Sequence, residues 1–155
     1  MLKTVEISLR SLENKDLDFL LALENDTSIW GVSGTTTPFT EVQIENYIQH
    51  AKQDIGIAEQ YRYVIDLQGS PIGCVDLYNY NWQKKRAGVG IVITETYRRK
   101  GYAKQALLQL INYAWNHLHL EQLHSKISPE NKGSIALFSK VGFLQKGNTL
   151  FVLNR

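Results

Sequence analysis

Arg98-Arg99-Lys100-Gly101-Tyr102-Ala103 gathers three cations, a glycine and a small residue where a strand-like run gives way to a strongly amphipathic one. The first turn of a helix leaves backbone N–H groups without intrahelical acceptors, and the aligned peptide dipoles add partial positive charge there. A phosphate binds readily at such a place. Gly101 removes a side chain where a ligand must touch backbone, and Ala103 keeps the next turn slim. Arg98, Arg99 and Lys100 add charge-assisted donors around the same anion. The residues also suit a plain basic surface turn, so local chemistry leaves both readings open. Two other phosphate signatures fail: no P-loop spacing occurs, and Gly88-Val89-Gly90 sits inside a strand-like run without a third glycine.

Carboxylates that could take a proton or bind a cationic amine are Asp76, in a strand-like run, and Glu24 and Asp26, at the end of the first helical run. Each also fits a solvated carboxylate or a cap. Trp30 could wall an acceptor site or pack in the core. Cys74 is the single cysteine and lies in the apolar run from Pro71 to Leu77, which favours a buried thiol over a nucleophile. His117, His119 and His124 span a helix end and a strand with no cysteine beside them, so no metal site is expected.

These residues must be positioned by a regular alternation of elements. Val5 to Leu9 alternates apolar and polar residues as a strand does, and Asn14-Lys15-Asp16 can cap a helix carrying Leu17, Leu20, Leu21 and Leu23. Residues 26–40 read as a loop, and a second helix is predicted from Glu41 to Gln53. Tyr61 to Asp66, a turn at Leu67-Gln68-Gly69-Ser70, and Ile72 to Tyr80 read as a hairpin. After a turn at Asn81 to Lys84, Arg86 to Ile93 forms a third antiparallel strand, whose interior glycines mark a bulge or a place where another backbone approaches closely. Ala103, Ala106, Leu107, Leu110, Ile111, Ala114, Trp115 and Leu118 define one helix face. Gln122 to Ser128 reads as a strand, Asn131 to Val141 as a helix with Gly142 at its C-cap, and Phe143 to Arg155 as a hairpin. This order makes a mixed α/β domain.

The 155 residues suit one domain. With 43% hydrophobic and 21% charged residues the composition is globular. The net charge of +2, with no basic tract, argues against nucleic acid as a partner. No apolar run is long enough to span a bilayer, the start lacks a secretory pattern, and a lone cysteine suits the cytoplasm.

Arg98-x-x-Gly101-x-Ala103, between a strand and a helix, resembles the Arg/Gln-x-x-Gly-x-Gly/Ala signature of the GNAT superfamily of N-acetyltransferases. Asn131-Lys132-Gly133-Ser134-Ile135-Ala136-Leu137-Phe138-Ser139-Lys140-Val141-Gly142-Phe143 resembles the family's Asn-x-x-Ser/Ala-x-x-x-Tyr-x-Lys-x-Gly-Phe element. Together with the opening Leu9-Arg10-x-Leu12-x-x-x-Asp16, the resemblance covers nearly the whole chain. It is nearest in flavour to the spermidine and ribosomal-protein N-acetyltransferases.

The resemblance implies a central, mostly antiparallel twisted sheet of about six or seven strands flanked by about four helices, with a splayed strand pair that holds acetyl-coenzyme A. It implies that Ile91, Val92 and Ile93 offer backbone hydrogen bonds to the pantetheine arm, with one amide, assigned to Ile93, stabilising the oxyanion. The backbone from Arg98 through Arg99, Lys100, Gly101 and Tyr102 to Ala103 would hold the pyrophosphate. Asn131 would bond the arm, although it equally fits a helix N-cap, and Lys140 would lie near the nucleotide.

The implied reaction is direct attack of a neutral primary amine on the thioester. An amine with a pKa of about 10.4 must first lose a proton, with Asp76 the candidate acceptor. Where the family often has a tyrosine to protonate the leaving thiolate, this chain has Phe138, so Ser139 or water must serve, or the thiolate leaves unaided. The expected acceptors are a small amine, a polyamine or a protein N-terminus, with a homodimer as the family-level assembly. The alternative is a module that binds acetyl-coenzyme A with little or no turnover. A bulky residue at Gly101 is expected to obstruct the pyrophosphate and leave the fold largely intact.

Overall fold

The structure, a computed structural model, describes residues 6–30 and 35–155. Seven strands form one sheet: β1 (Ile7–Ser11), β2 (Tyr61–Leu67), β3 (Ser70–Asn81), β4 (Arg86–Ile93), β5 (Gln122–Lys126), β6 (Leu144–Gln145) and β7 (Leu150–Asn154). Their spatial order is β1-β2-β3-β4-β5-β7-β6. Every neighbouring pair is antiparallel except β4 with β5, which run parallel. A parallel pair needs a crossover, and the long helix between β4 and β5 supplies it.

The helices are α1 (Leu17–Glu24), α2 (Glu41–His50), α3 (Ile55–Ala58), α4 (Tyr102–Asn116) and α5 (Lys132–Lys140). The predicted face of α4 buries Ala106, Leu107, Leu110 and Ala114 completely. These meet Val75, Leu77, Ala87 and Val89 of the sheet, together with Phe138 of α5 and Phe143 and Phe151 beyond it. Burying each such leucine contributes about 1.5–3 kcal/mol. On the opposite sheet face Leu20 and Leu23 of α1 and Ile44 and Ile48 of α2 pack on Val64 and Cys74. The sheet is therefore covered on both sides, and its strands alternate between two apolar layers.

Several boundaries depart from the sequence reading. The first strand runs from Ile7 to Ser11 rather than from Val5, which lies outside the described residues. Helix α2 stops at His50 short of Gln53, and the chain then forms the separate turn α3, capped by Asp54 accepting from the Gly56 amide at 2.8 Å. The loop from Asp26 contains a short 3-10 turn, Thr27–Ile29. The β2–β3 turn is a two-residue loop with Gln68 and Gly69 both at positive φ, the backbone that a tight hairpin requires.

One ion network fixes β1 to the start of α1. Arg10 donates to Asp16 through two nitrogens at 2.8 Å each and through Nε to Asp66 at 2.8 Å, while the Glu13 amide also donates to Asp16 at 2.8 Å. Asp16 is 1% exposed and Asp66 7%. Burial alone would raise the Asp16 carboxyl, but the Arg10 hydrogen bonds, the Glu13 amide and the charges of Arg10 and Lys15 together outweigh it and hold it below the ordinary range. At Asp66 the Arg10 hydrogen bond is the largest cause, and it too lowers the carboxyl.

Removing Arg10 strands a buried carboxylate, so Arg10→Ala should destabilise the fold by about 3 kcal/mol. A carboxyl held below its unfolded value of about 3.9 adds stability above that pH, and the contribution disappears as pH falls through the lower folded value. Chemical denaturation of the wild type should show this acid limb, and Arg10→Ala should flatten it.

Candidate active site

Strands β4 and β5 pair for only three residues, Arg86↔Gln122, Ala87↔Leu123 and Gly88↔His124, and then part. The Ser125 hydroxyl donates to Val89 O at 2.9 Å and closes the apex of the opening. Beyond it the walls of the gap can be assigned from ladder geometry. Hydrogen-bonded pairs alternate in an antiparallel ladder, and Thr94 N–H donates to Ile72 O at 2.9 Å. With the register Cys74↔Val92 and Asp76↔Gly90, the peptide groups of Val92 and Gly90 are therefore turned to β3. Those of Ile93, Ile91 and Val89 face the gap. On the other wall, Ile127 N–H donates to Thr149 O at 2.8 Å, so the alternate amides of β5, those of Lys126 and His124, point back toward β4.

Ile91 and Ile93 thus have the orientation expected of cofactor contacts, and Val92 does not. Its N–H and C=O belong to the β3 ladder, while its side chain packs toward α1 and α2.

At the far end of β4 the chain makes a 3-10 turn, Glu95–Tyr97, and enters α4 with Gly101 as N-cap at φ +85°. No side chain caps the helix, and the first intrahelical bond is Gln105 N–H to Gly101 O at 3.2 Å. The amides of Tyr102, Ala103 and Lys104 consequently point out of the helix start without acceptors among the described residues. Nothing lies within 4 Å of where a Gly101 side chain would begin. Arg99, at φ 63°, and Lys100 are exposed beside this opening. Arg98 behaves differently: its amide bonds Glu95 O at 3.2 Å, and its Nε donates to Ile93 O at 2.8 Å, stapling the turn to the strand end. The open amides, the bare glycine and the two exposed cations fit a diphosphate, and the unpaired strand edges fit an extended amide-bearing arm.

The second motif lies across the gap. Asn131 caps α5 by accepting from the Ser134 amide at 3.2 Å, which leaves its side-chain NH2 free to donate. Both readings of Asn131 therefore fit. Phe138 is 2% exposed and stacks edge-on against Phe143 with centroids 5.0 Å apart, so it belongs to the core. Ser139 and Lys140, on the same helix, are exposed.

The predicted acceptor residues are split. Glu24 and Asp76 meet on the α1/α2 face, but both are held by Arg62, which the sequence reading missed. Arg62 Nε and Nη2 bind the two Asp76 oxygens at 2.7 and 2.9 Å, and Nη1 binds Glu24 at 2.5 Å. Burial works against this guanidinium's charge, and Asp76 more than compensates, raising its pKa. The Tyr47 ring lies under it at 5.5 Å, with its own hydroxyl pushed up to about 12 by burial. Asp26 is elsewhere: its carboxylate accepts from the Ser28 amide and hydroxyl at 2.9 and 2.7 Å, which lowers its pKa, and Arg98 is the cation near it. It caps the 3-10 turn and does not join the acidic pair. Trp30, half-buried, donates its indole N–H to Glu24 O at 3.0 Å.

Cys74 is fully buried, and burial pushes its thiol up to about 12, which excludes thiolate chemistry at neutral pH. Among the described residues no three metal-ligating side chains come together.

A family model for the acetyltransferase (GNAT) domain matches residues 6–144. The chain belongs to that family. Its activity is transfer of an acetyl group from acetyl-coenzyme A to an amine. A spermidine N(1)-acetyltransferase of Vibrio cholerae is 28% identical over 145 residues, 92% of this chain and 82% of that protein. Among solved structures, spermidine N-acetyltransferase from Vibrio cholerae in complex with CoA and spermine superposes with a TM-score of 0.86 at 22% identity, covering 96% of this chain and 95% of the other. A dodecameric structure of spermidine N-acetyltransferase from the same organism gives 0.78 at 24% identity, covering 96% and 94%. At such identities the superpositions speak for the fold alone. Among the described residues no helix is long and apolar enough to cross a membrane.

Gly101→Val places a branched side chain at the mouth of the anion site, and its positive φ adds strain that the sequence alone did not reveal. The variant should lose about 1–2 kcal/mol of stability and bind coenzyme A at least about tenfold more weakly. Calorimetric titration with coenzyme A checks this; unchanged affinity would remove Gly101 from the site.

Proposed function

We propose that residues 1–155 act as one N-acetyltransferase domain on a small primary amine of the polyamine kind, with acetyl-coenzyme A laid along the gap between β4 and β5. The observation that carries this reading is the parting of those strands directly before an uncapped helix N-terminus. The pyrophosphate takes the amides of Tyr102 and Ala103 and the charges of Arg99 and Lys100, with Arg98 stapling the turn that presents them. The arm takes the gap-facing groups of Ile91 and Ile93 and the free amide of Asn131, and Lys140 serves the nucleotide end. An inward-facing amide of β4, that of Ile91 or Ile93, polarises the acetyl carbonyl as the amine attacks.

The acceptor approaches on the α1/α2 face. Glu24, Asp76 and Arg62 sum there to one negative charge beside Gly90. A net negative wall draws an alkylammonium ion, and the relatives named for spermidine support this acceptor class. Because Arg62 holds both oxygens of Asp76, we assign Asp76 to binding the amine rather than to removing its proton. Trp30 serves as a wall fixed to the end of α1. A homo-oligomer, with a dimer as its unit, is proposed on the precedent of the dodecameric relative. The buried lone thiol suits the reducing cytoplasm.

Purified protein with acetyl-coenzyme A and a panel of amines, followed by released thiol, tests this reading. Spermidine and simple diamines should be turned over, and Asp76→Asn should raise the amine KM at least about tenfold while changing kcat little. Tight coenzyme A binding with no thiol released for any amine would make the domain a binding module instead.

A further inference from the structure

Tyr78, on β3, lays its phenol ring against the floor of the gap. A side-chain carbon added to Gly88 would stand 2.2 Å from Tyr78 Cε2, and one added to Gly90 would stand 3.9 Å from Cε1. Only a glycine fits beneath the ring at Gly88, whereas at Gly90 an added carbon would make an ordinary contact with its edge. The ring reaches across β4 to meet His124 of β5 edge-on, with centroids 6.0 Å apart. Its hydroxyl lies against the Lys126 amide and the Ser125 hydroxyl. That amide is one of those that β5 turns into the gap, so the phenolic oxygen sits at the apex where β4 and β5 part.

We propose that the Tyr78 hydroxyl is the proton donor to the leaving sulfur, the task that Phe138 cannot perform. The proposal rests on the reading that acetyl-coenzyme A lies in the gap. An arm anchored at Gly101 and extended along β4 travels toward the apex, since Ile93 and Val89 are four residues, about 13 Å, apart. The reacting end therefore arrives beside Tyr78, on the face where Asp76 and Gly90 admit the amine. The hydroxyl lies near the Lys126 amide and the Ser125 hydroxyl at the head of the gap, and burial raises its pKa and keeps the phenol protonated at neutral pH. The step balances. The N–C bond forms and the C–S bond breaks with its electron pair left on sulfur. The Tyr78 proton passes to sulfur, and the phenolate takes the proton that the nitrogen sheds.

Tyr78→Phe keeps the ring on its glycine bed and deletes only the donor. Thiol release should lose at least about tenfold in kcat, the ordinary scale for one general acid, with coenzyme A affinity and melting temperature unchanged. A further readout needs no turnover: the thiol of bound coenzyme A, followed by thiolate absorbance, should titrate lower in the wild type than in Tyr78→Phe, because the hydroxyl hydrogen-bonds the thiolate. Asp76 of β3, Arg86 of β4, and His124 and Lys126 of β5 face the same space and are common to both proteins, so the difference reports the hydroxyl.

Unchanged kcat and thiol titration in Tyr78→Phe overturn the proposal. A loss of kcat matched by weaker coenzyme A binding or a lower melting temperature overturns it as well, since the hydroxyl would then be structural. Wild-type protein that fails to bind coenzyme A at all defeats the placement of the cofactor instead, a result distinct from either.

Discussion

The parting of β4 from β5 is the constraint on which the rest of the structure depends. A sheet normally satisfies its backbone by pairing, and an interior strand that abandons its neighbour exposes peptide groups that must find other partners. Here the two walls are held apart from outside. β3 grips one side of β4 through Val92 and Gly90, β7 grips the far side of β5, and Ser125 ties the apex to Val89. Each strand is anchored by its outer neighbour, so the gap does not close by simple re-pairing. Arg98 then satisfies Ile93 O from the adjoining turn, which fixes the distance between the strand end and the first amides of α4. The open edge and the open helix start become parts of one continuous lining of donors and acceptors.

That lining was legible in outline. Strand, short basic turn and amphipathic helix followed from periodicity and from Gly101, and the second motif fixed α5 and its Asn131 cap. Register was less accessible. The β2–β3 turn pairs Leu67 with Ser70, and an uninterrupted hairpin would then set Arg62 opposite Val75. Instead an irregularity between Ile65 and Asp66 shifts the ladder by one residue, so that Arg62 faces Asp76. A one-residue slip exchanges the two faces of a strand, and only the extra residue, Ile72, brings guanidinium and carboxylate together. Asp76 reads from the sequence as a free carboxylate because the bulge that pairs it has no simple signature. Val92 was overcounted for a related reason: consecutive residues of a strand cannot all present their peptides to one side, and which half faces the gap depends on the hydrogen-bonding phase.

The glycines of β4 give a second case. Gly88 and Gly90 read as marking a bulge or the close approach of another backbone, but at Gly88 the approaching group is the Tyr78 ring, and at Gly90 an added carbon would make only ordinary contacts. Nothing near Tyr78 in sequence announces this, because the contact is made by cross-strand pairing with Gly88. Asp26 failed in the opposite sense. Adjacent in sequence to the acceptor face, it is diverted by the 3-10 turn that it caps. A short local hydrogen-bond pattern decided its direction.

Phe138 connects these observations. Its ring carries no hydroxyl and is buried edge-on against Phe143. With α5 given to packing, to its Asn131 cap and to exposed Ser139 and Lys140, the proposed proton donor lies on the other face of the sheet. That face holds the ion cluster Glu24, Arg62 and Asp76, whose one guanidinium is shared between two carboxylates. It also holds Tyr78, whose ring occupies the space left by the missing side chain of Gly88. A rigidly bedded neutral donor beside a locked ion cluster separates proton transfer from charge recognition. The cluster can then be altered to suit a different amine without disturbing the group that faces the departing thiol.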